Sequence, residues 1–99
     1  KKIKMMEVKE GNRCVYHIFP IFIRNRNSVQ QEMLSEGIQT ALHYPKSIHL
    51  QKAYKDLKHK KGDFPVAEKQ ASTELSLPMY PEITEKEIDY VCKKLEKII

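Results

Sequence analysis

Apolar positions recur along this chain in two rhythms, one helical and one extended, and each predicts elements. The sharpest signal comes last. Ile88, Val91, Cys92, Leu95 and Ile99 fall at i, i+3, i+4, i+7 and i+11, a single stripe of an amphipathic helix. Thr84-Glu85-Lys86-Glu87 precedes it as a capping box, in which Thr84 and Glu87 satisfy each other's backbone amides. An earlier helix is predicted after the polar turn Asn25 to Asn27. Ser28-Val29-Gln30-Gln31 fits a second capping box, Val29, Met33 and Leu34 supply an apolar face, and Gly37 supplies the left-handed stop. Another helix starts near Pro65, a residue suited to the first turn. Along it Ala67, Ala71 and Leu75 recur every fourth residue, and the small alanines point to close packing against a neighbour.

The extended rhythm is shorter-lived. Ile3 to Val8 predicts a short strand ended by the turn-forming Gly11-Asn12 pair. Cys14 to Arg24, rich in Val, Ile, Tyr and Phe, reads as a strand apolar on both faces. Pro20 within it has no amide to donate, which argues for an edge position or a bulge. Ile38 to Leu42 predicts a further strand, and Leu77 to Met79 a short extended piece punctuated by Pro78 and Pro81. The succession implies an α+β domain, with a small antiparallel or mixed sheet and helices packed on one side.

His43 to Asp63 carries neither rhythm for long, with room for one short helix near Leu50 to Leu57. Irregular stretches of this length inside a compact domain are uncommon and usually serve function or are disordered. Tyr44, Ile48, Leu50, Tyr54 and Leu57 are too many anchors for simple disorder.

Composition narrows the picture. The 99 residues make one domain, 1–99, and a hydrophobic share of 40% builds one modest core without also enclosing a deep cofactor pocket. No apolar run reaches the roughly 20 residues a membrane helix needs, and no signal peptide is visible. The chain opens on Lys1 rather than Met, which fits a piece of a longer protein. Cys14 and Cys92 stand outside any ligand spacing and are expected as two buried thiols in a reducing cytoplasm. The net charge of +5 draws on Lys1, Lys2 and Lys4 and on the run from Lys52 to Lys61. That run is broken by Asp56 and lacks interleaved aromatics, so it reads as a solvated surface, and nucleic-acid binding is not expected.

Candidate chemistry is sparse. His17, His43, His49 and His59 lack the spacing and the cysteine partners of a metal site, so no metal is expected. No nucleophile–base arrangement is suggested by position, and the glycines form no phosphate loop. His43-Tyr44-Pro45 stands apart because it falls where a strand runs into the irregular loop, with His49 and Gln51 just beyond. Such junctions are well placed to meet a ligand. The alternative is that Tyr44 and Pro45 plug the edge of the core while His49 caps a short helix.

The run Gly37-Ile38-Gln39-Thr40-Ala41-Leu42-His43-Tyr44-Pro45, followed by Ile48-His49-Leu50-Gln51 and Ala53-Tyr54, resembles a signature of the DegT/DnrJ/EryC1/StrS aminotransferases. The likeness continues through Gly62-Asp63-Phe64-Pro65-Val66-Ala67-Glu68 and Leu75-Ser76-Leu77-Pro78-Met79-Tyr80-Pro81, with Val15-Tyr16-His17 similar to the opening strand. The resemblance implies the C-terminal small domain of a fold-type I, pyridoxal-phosphate-dependent enzyme. Such enzymes are usually homodimers that pass an amino group, commonly from glutamate or glutamine, to a nucleotide-linked keto-sugar. No lysine here matches the cofactor-binding motif, so the piece alone is not expected to catalyse or to bind the cofactor. His43, Tyr44, His49 and Gln51 would instead form a substrate-binding loop facing the cleft. Two rival readings are a non-catalytic binding module for a nucleotide sugar or nucleic acid, and a dimerisation piece with an exposed former interface.

Overall fold

The computed structural model describes residues 3–99, so Lys1 and Lys2 of the predicted basic cluster lie outside the described residues. Three strands form one antiparallel sheet, with β2 (Phe19–Ile23) central between β1 (Ile3–Met5) and β3 (Glu74–Leu77). In register, Ile21 faces Leu75 on one side and Met5 on the other, while Ile23 faces Ile3. Because side chains alternate along a strand, these residues share a face. Helices α1 (Arg26–Ser35) and α3 (Glu85–Ile98) cover it. Met33 and Leu75 are completely buried in the resulting core, where Ile21, Ile23, Val29, Ile38, Val91 and Leu95 join them. A side chain of this size contributes about 1.5–3 kcal/mol when fully buried. The α+β class and the antiparallel sheet are as the sequence implied.

Within the helices, spacing decides which apolar residues are covered. Val29 and Met33 lie one turn apart and are buried, whereas Leu34, rotated by one position, is 63% exposed. Val91 and Leu95 repeat the pattern in α3, leaving Ile88 and Cys92 outside. Cys14 is exposed as well, so both free thiols face solvent instead of the interior. The predicted cap of α3 is present: Thr84 Oγ1 accepts from the Glu87 amide and the Glu87 carboxylate accepts from the Thr84 amide. Gly37, at φ +76°, ends α1 in a Schellman motif, with the Gly37 amide on the Leu34 carbonyl and the Ile38 amide on that of Met33.

Other elements differ from expectation for identifiable reasons. Helix α1 starts at Arg26, before the predicted Ser28 cap, and Ser28 Oγ instead bonds Glu32 along the helix. The early start is tied down by the buried Arg26, which donates from Nη1 to the Glu74 carbonyl at 2.8 Å. The strand expected from Cys14 begins only at Phe19, and residues 4–17 are exposed throughout. Their excursion explains a radius of gyration of 15.5 Å, against roughly 13 Å for a compact chain of this length. Pro20 occupies the central strand with no bulge at its pairing to Ser76. It costs no ladder bond, because Ser76 turns its backbone to Ala41 on the far side and β1 ends opposite Ile21. The predicted Ile38–Leu42 strand shrinks to that single Ala41–Ser76 bridge.

Helix α2 (Pro65–Thr73) stops short of Leu75, which belongs to β3. Glu74-Leu75-Ser76-Leu77 alternates polar and apolar, and the sheet captures it through β2. Ala67 and Ala71 share a cavity with Pro20 and Phe22 on the face of the sheet opposite the core. Between α1 and α2, residues 48–50 and 52–57 make two 3-10 turns, where one short helix was expected.

Candidate functional site

Strand β3 turns Glu74 and Ser76 toward the face opposite the core, yet both are only 4% exposed. Buried polar groups need partners, and here the partner is the junction residue His43. Glu74 Oε2 accepts the His43 amide at 2.6 Å, and Glu74 Oε1 accepts the Ser76 hydroxyl at 2.5 Å. Ser76 Oγ lies 2.9 Å from His43 Nδ1. His43 is thereby held at the seam between two clefts, lining both. The larger, about 670 Å³, is lined by residues 37–41, His43 and the stretch from Ser76 to Tyr80. The smaller, about 320 Å³, lies between the His43 loop, β2 and α2.

Of the four residues expected at the site, His43, Tyr44 and Gln51 line the smaller cavity together. Tyr44 is 69% exposed and meets the His43 ring edge-on at 5.5 Å. Gln51 is half-buried and donates weakly to the Lys46 carbonyl. Ser47, 8% exposed, adds to the same wall a buried hydroxyl with no partner among the described residues. His49 points elsewhere. Its side chain is 7% exposed, packs at a tilt against the Phe64 ring at 4.8 Å and bonds Glu68 Oε1 at 2.9 Å. Glu68 also accepts the Gly62 and Phe64 amides, and the Gly62 bond is the main reason its carboxyl sits below the usual range, with His49 and Phe64 adding to it. His49 therefore anchors the loop to the start of α2.

Glu74 and Ser76 were missed by sequence reasoning, because the four-residue recurrence through Leu75 drew β3 into a helix. The polar–apolar alternation from Glu74 to Leu77 was the signal that could have found them. In the larger cleft, Tyr80 is held neutral to higher pH by desolvation and by the Glu87 and Glu82 carboxylates. Among the described residues no three His, Cys, Asp or Glu side chains converge as a metal site would require, and no helix is long and apolar enough to cross a membrane.

Comparison with known proteins places this geometry in context. The model of the DegT/DnrJ/EryC1/StrS aminotransferase family matches residues 1–96, and the chain belongs to that family. It is 40% identical, over 95% of its length, to the erythromycin biosynthesis sensory transduction protein EryC1 of Saccharopolyspora erythraea, covering 26% of that protein. It is 35% identical, over 89% of its length, to the UDP-2-acetamido-2-deoxy-3-oxo-D-glucuronate aminotransferase of Pseudomonas aeruginosa, covering 24%. The crystal structure of NtdA from Bacillus subtilis with bound cofactor PMP superposes with a TM-score of 0.82 at 32% identity. That match takes in 98% of this chain and 23% of the other. The chain thus spans about a quarter of the length of the relatives it matches.

Proposed function

We propose, with family membership as the premise, that this chain is the C-terminal small domain of a pyridoxal-phosphate-dependent aminotransferase acting on a nucleotide-linked keto-sugar. Its part is the substrate-side wall of the active site. The observation that carries this reading is the convergence of His43, Tyr44 and Gln51 on one cavity whose wall holds the Ser47 hydroxyl, buried without a partner among the described residues. Imidazole, phenol, amide and alcohol are groups that hydrogen-bond sugar hydroxyls and diphosphate oxygens. The exposed Lys46, Lys52 and Lys55 beside them add positive charge that draws in an anionic substrate. His49 serves the same loop from behind, through Glu68.

The residues present do not fit the cofactor itself. A phosphate cradle needs backbone amides free to face the anion, whereas those of Gly37 and Gly62 are spent on the Leu34 carbonyl and the Glu68 carboxylate. Lys86, the lysine of the larger cleft, is exposed on the first turn of α3. In this reading pyridoxal phosphate, its lysine and the amino-donor site belong to the remainder of a longer, homodimeric enzyme. A cytoplasmic setting suits the two exposed free thiols.

The test is steady-state kinetics on the full-length protein with a nucleotide-linked keto-sugar and an amino donor. His43→Ala, Tyr44→Phe and Gln51→Ala are each expected to raise KM for the sugar roughly 3- to 10-fold, the worth of one hydrogen bond, with KM for the donor unchanged. An unchanged sugar KM in all three discards the reading.

A further inference from the structure

Ser76 Oγ carries a single proton, and the geometry says where it goes. Glu74 Oε2 accepts the His43 amide, and across 2.5 Å the Ser76 hydroxyl donates to Glu74 Oε1. What Ser76 then offers His43 Nδ1, 2.9 Å away, is a lone pair. Nδ1 must carry the ring proton. Glu74 cannot readily rotate out of this role, because its other oxygen accepts the His43 amide and its own carbonyl is held by Arg26. Ser76 is equally pinned, with both backbone groups bonded to Ala41. The second ring nitrogen, Nε2, has no partner among the described residues, and His43 lines both clefts.

We propose that Glu74 and Ser76 are positioning residues that hold His43 as the Nδ1–H tautomer, so that Nε2 meets the substrate as a hydrogen-bond acceptor. This deepens the functional reading above and rests on it for the substrate's part. It also chooses between the substrate's groups. A neutral imidazole nitrogen bearing a lone pair accepts from a sugar hydroxyl and has nothing to donate to an unprotonated phosphate oxygen. The class of group that His43 takes is therefore a hydroxyl or amide donor on the sugar, and the diphosphate is left to other residues.

Two variants of the intact protein test this by long-range 1H–15N NMR of the histidine rings at about pH 8, with the His43 signals assigned through His43→Gln. The expected wild-type pattern is a protonated Nδ1 and a bare Nε2. In Glu74→Gln the shape is kept but the side-chain amide donates to Ser76 Oγ. Ser76 then donates to Nδ1, and the pattern inverts to Nε2–H. A wild-type Nε2–H ring, or an Nδ1–H ring retained in Glu74→Gln, overturns the proposal. If Glu74→Gln does not fold, Ser76→Ala serves in its place. Its His43 is expected to lose the Nδ1–H bias, and an unaltered pattern overturns the proposal.

Substrate kinetics supply the second arm. Inversion of the tautomer should raise the sugar KM by roughly 3- to 10-fold. An inverted ring with an unchanged KM overturns the acceptor role, and if His43→Ala is silent too, the substrate-facing reading falls separately from the tautomer assignment.

Discussion

Leu75 and its neighbours Glu74 and Ser76 are buried to nearly the same degree, at 0%, 4% and 4% exposure, yet they belong to opposite sides of one sheet and to different kinds of structure. On the Leu75 side, stabilisation comes from area removed from water and from close packing with Met33, Ile21 and the stripe of α3. It has no direction, and a neighbour of similar volume serves as well. On the Glu74 side, the carboxylate and the Ser76 hydroxyl are matched to specific partners, and the matching fixes the position of a loop. Burial alone therefore says little about role: one face holds the domain together and the other aims His43.

That contrast can be broken by substitution. Leu75→Ala removes a completely buried side chain and is expected to cost about 2–5 kcal/mol in urea unfolding, with the His43 amide as well protected against hydrogen exchange as the remaining global stability allows. Glu74→Ala strips the acceptors from the His43 amide and the Ser76 hydroxyl. A smaller loss of about 1–3 kcal/mol is expected, concentrated as faster exchange at the His43 amide and its loop. Equal loop effects from the two variants would dissolve the distinction between the faces.

The smallest expected effect is on pH dependence and concerns the rear anchor of the loop. The Glu68 carboxyl lies below its ordinary value of 4.5 because the Gly62 amide, His49 and the Phe64 amide favour its charged form. A depressed folded pKa means stability that is present above 4.5 and lost as pH falls through the folded value. Wild-type protein should therefore lose loop protection on acidification below that point, and Glu68→Gln should flatten this part of the profile. An identical acid profile in Glu68→Gln would show that the bonds from Gly62 and His49 do not hold the loop.

The parts of this protein written in local pattern were legible early. The α3 helix, its Thr84–Glu87 cap and the Gly37 stop each depend on local pattern, and all three are present. The run from Gly37 to Gln51 likewise marked the loop that carries His43, Tyr44 and Gln51. What the sequence alone did not determine is what depends on partners far along the chain. Leu75 continues a helical recurrence from Ala67, and only pairing with Ile21 draws it into a strand. Pro20 argued for an edge, and only the short reach of β1 and the outward bridge of Ser76 to Ala41 make its missing amide harmless at the centre. His43 and His49 look alike in the sequence, six residues apart in one loop. Tertiary contact separates them, since Glu74 and Ser76 hold one at the seam of two clefts while Glu68 and Phe64 bury the other. Local pattern can specify where a chain turns, but which side chain faces a cavity is settled by residues 15 to 33 positions away.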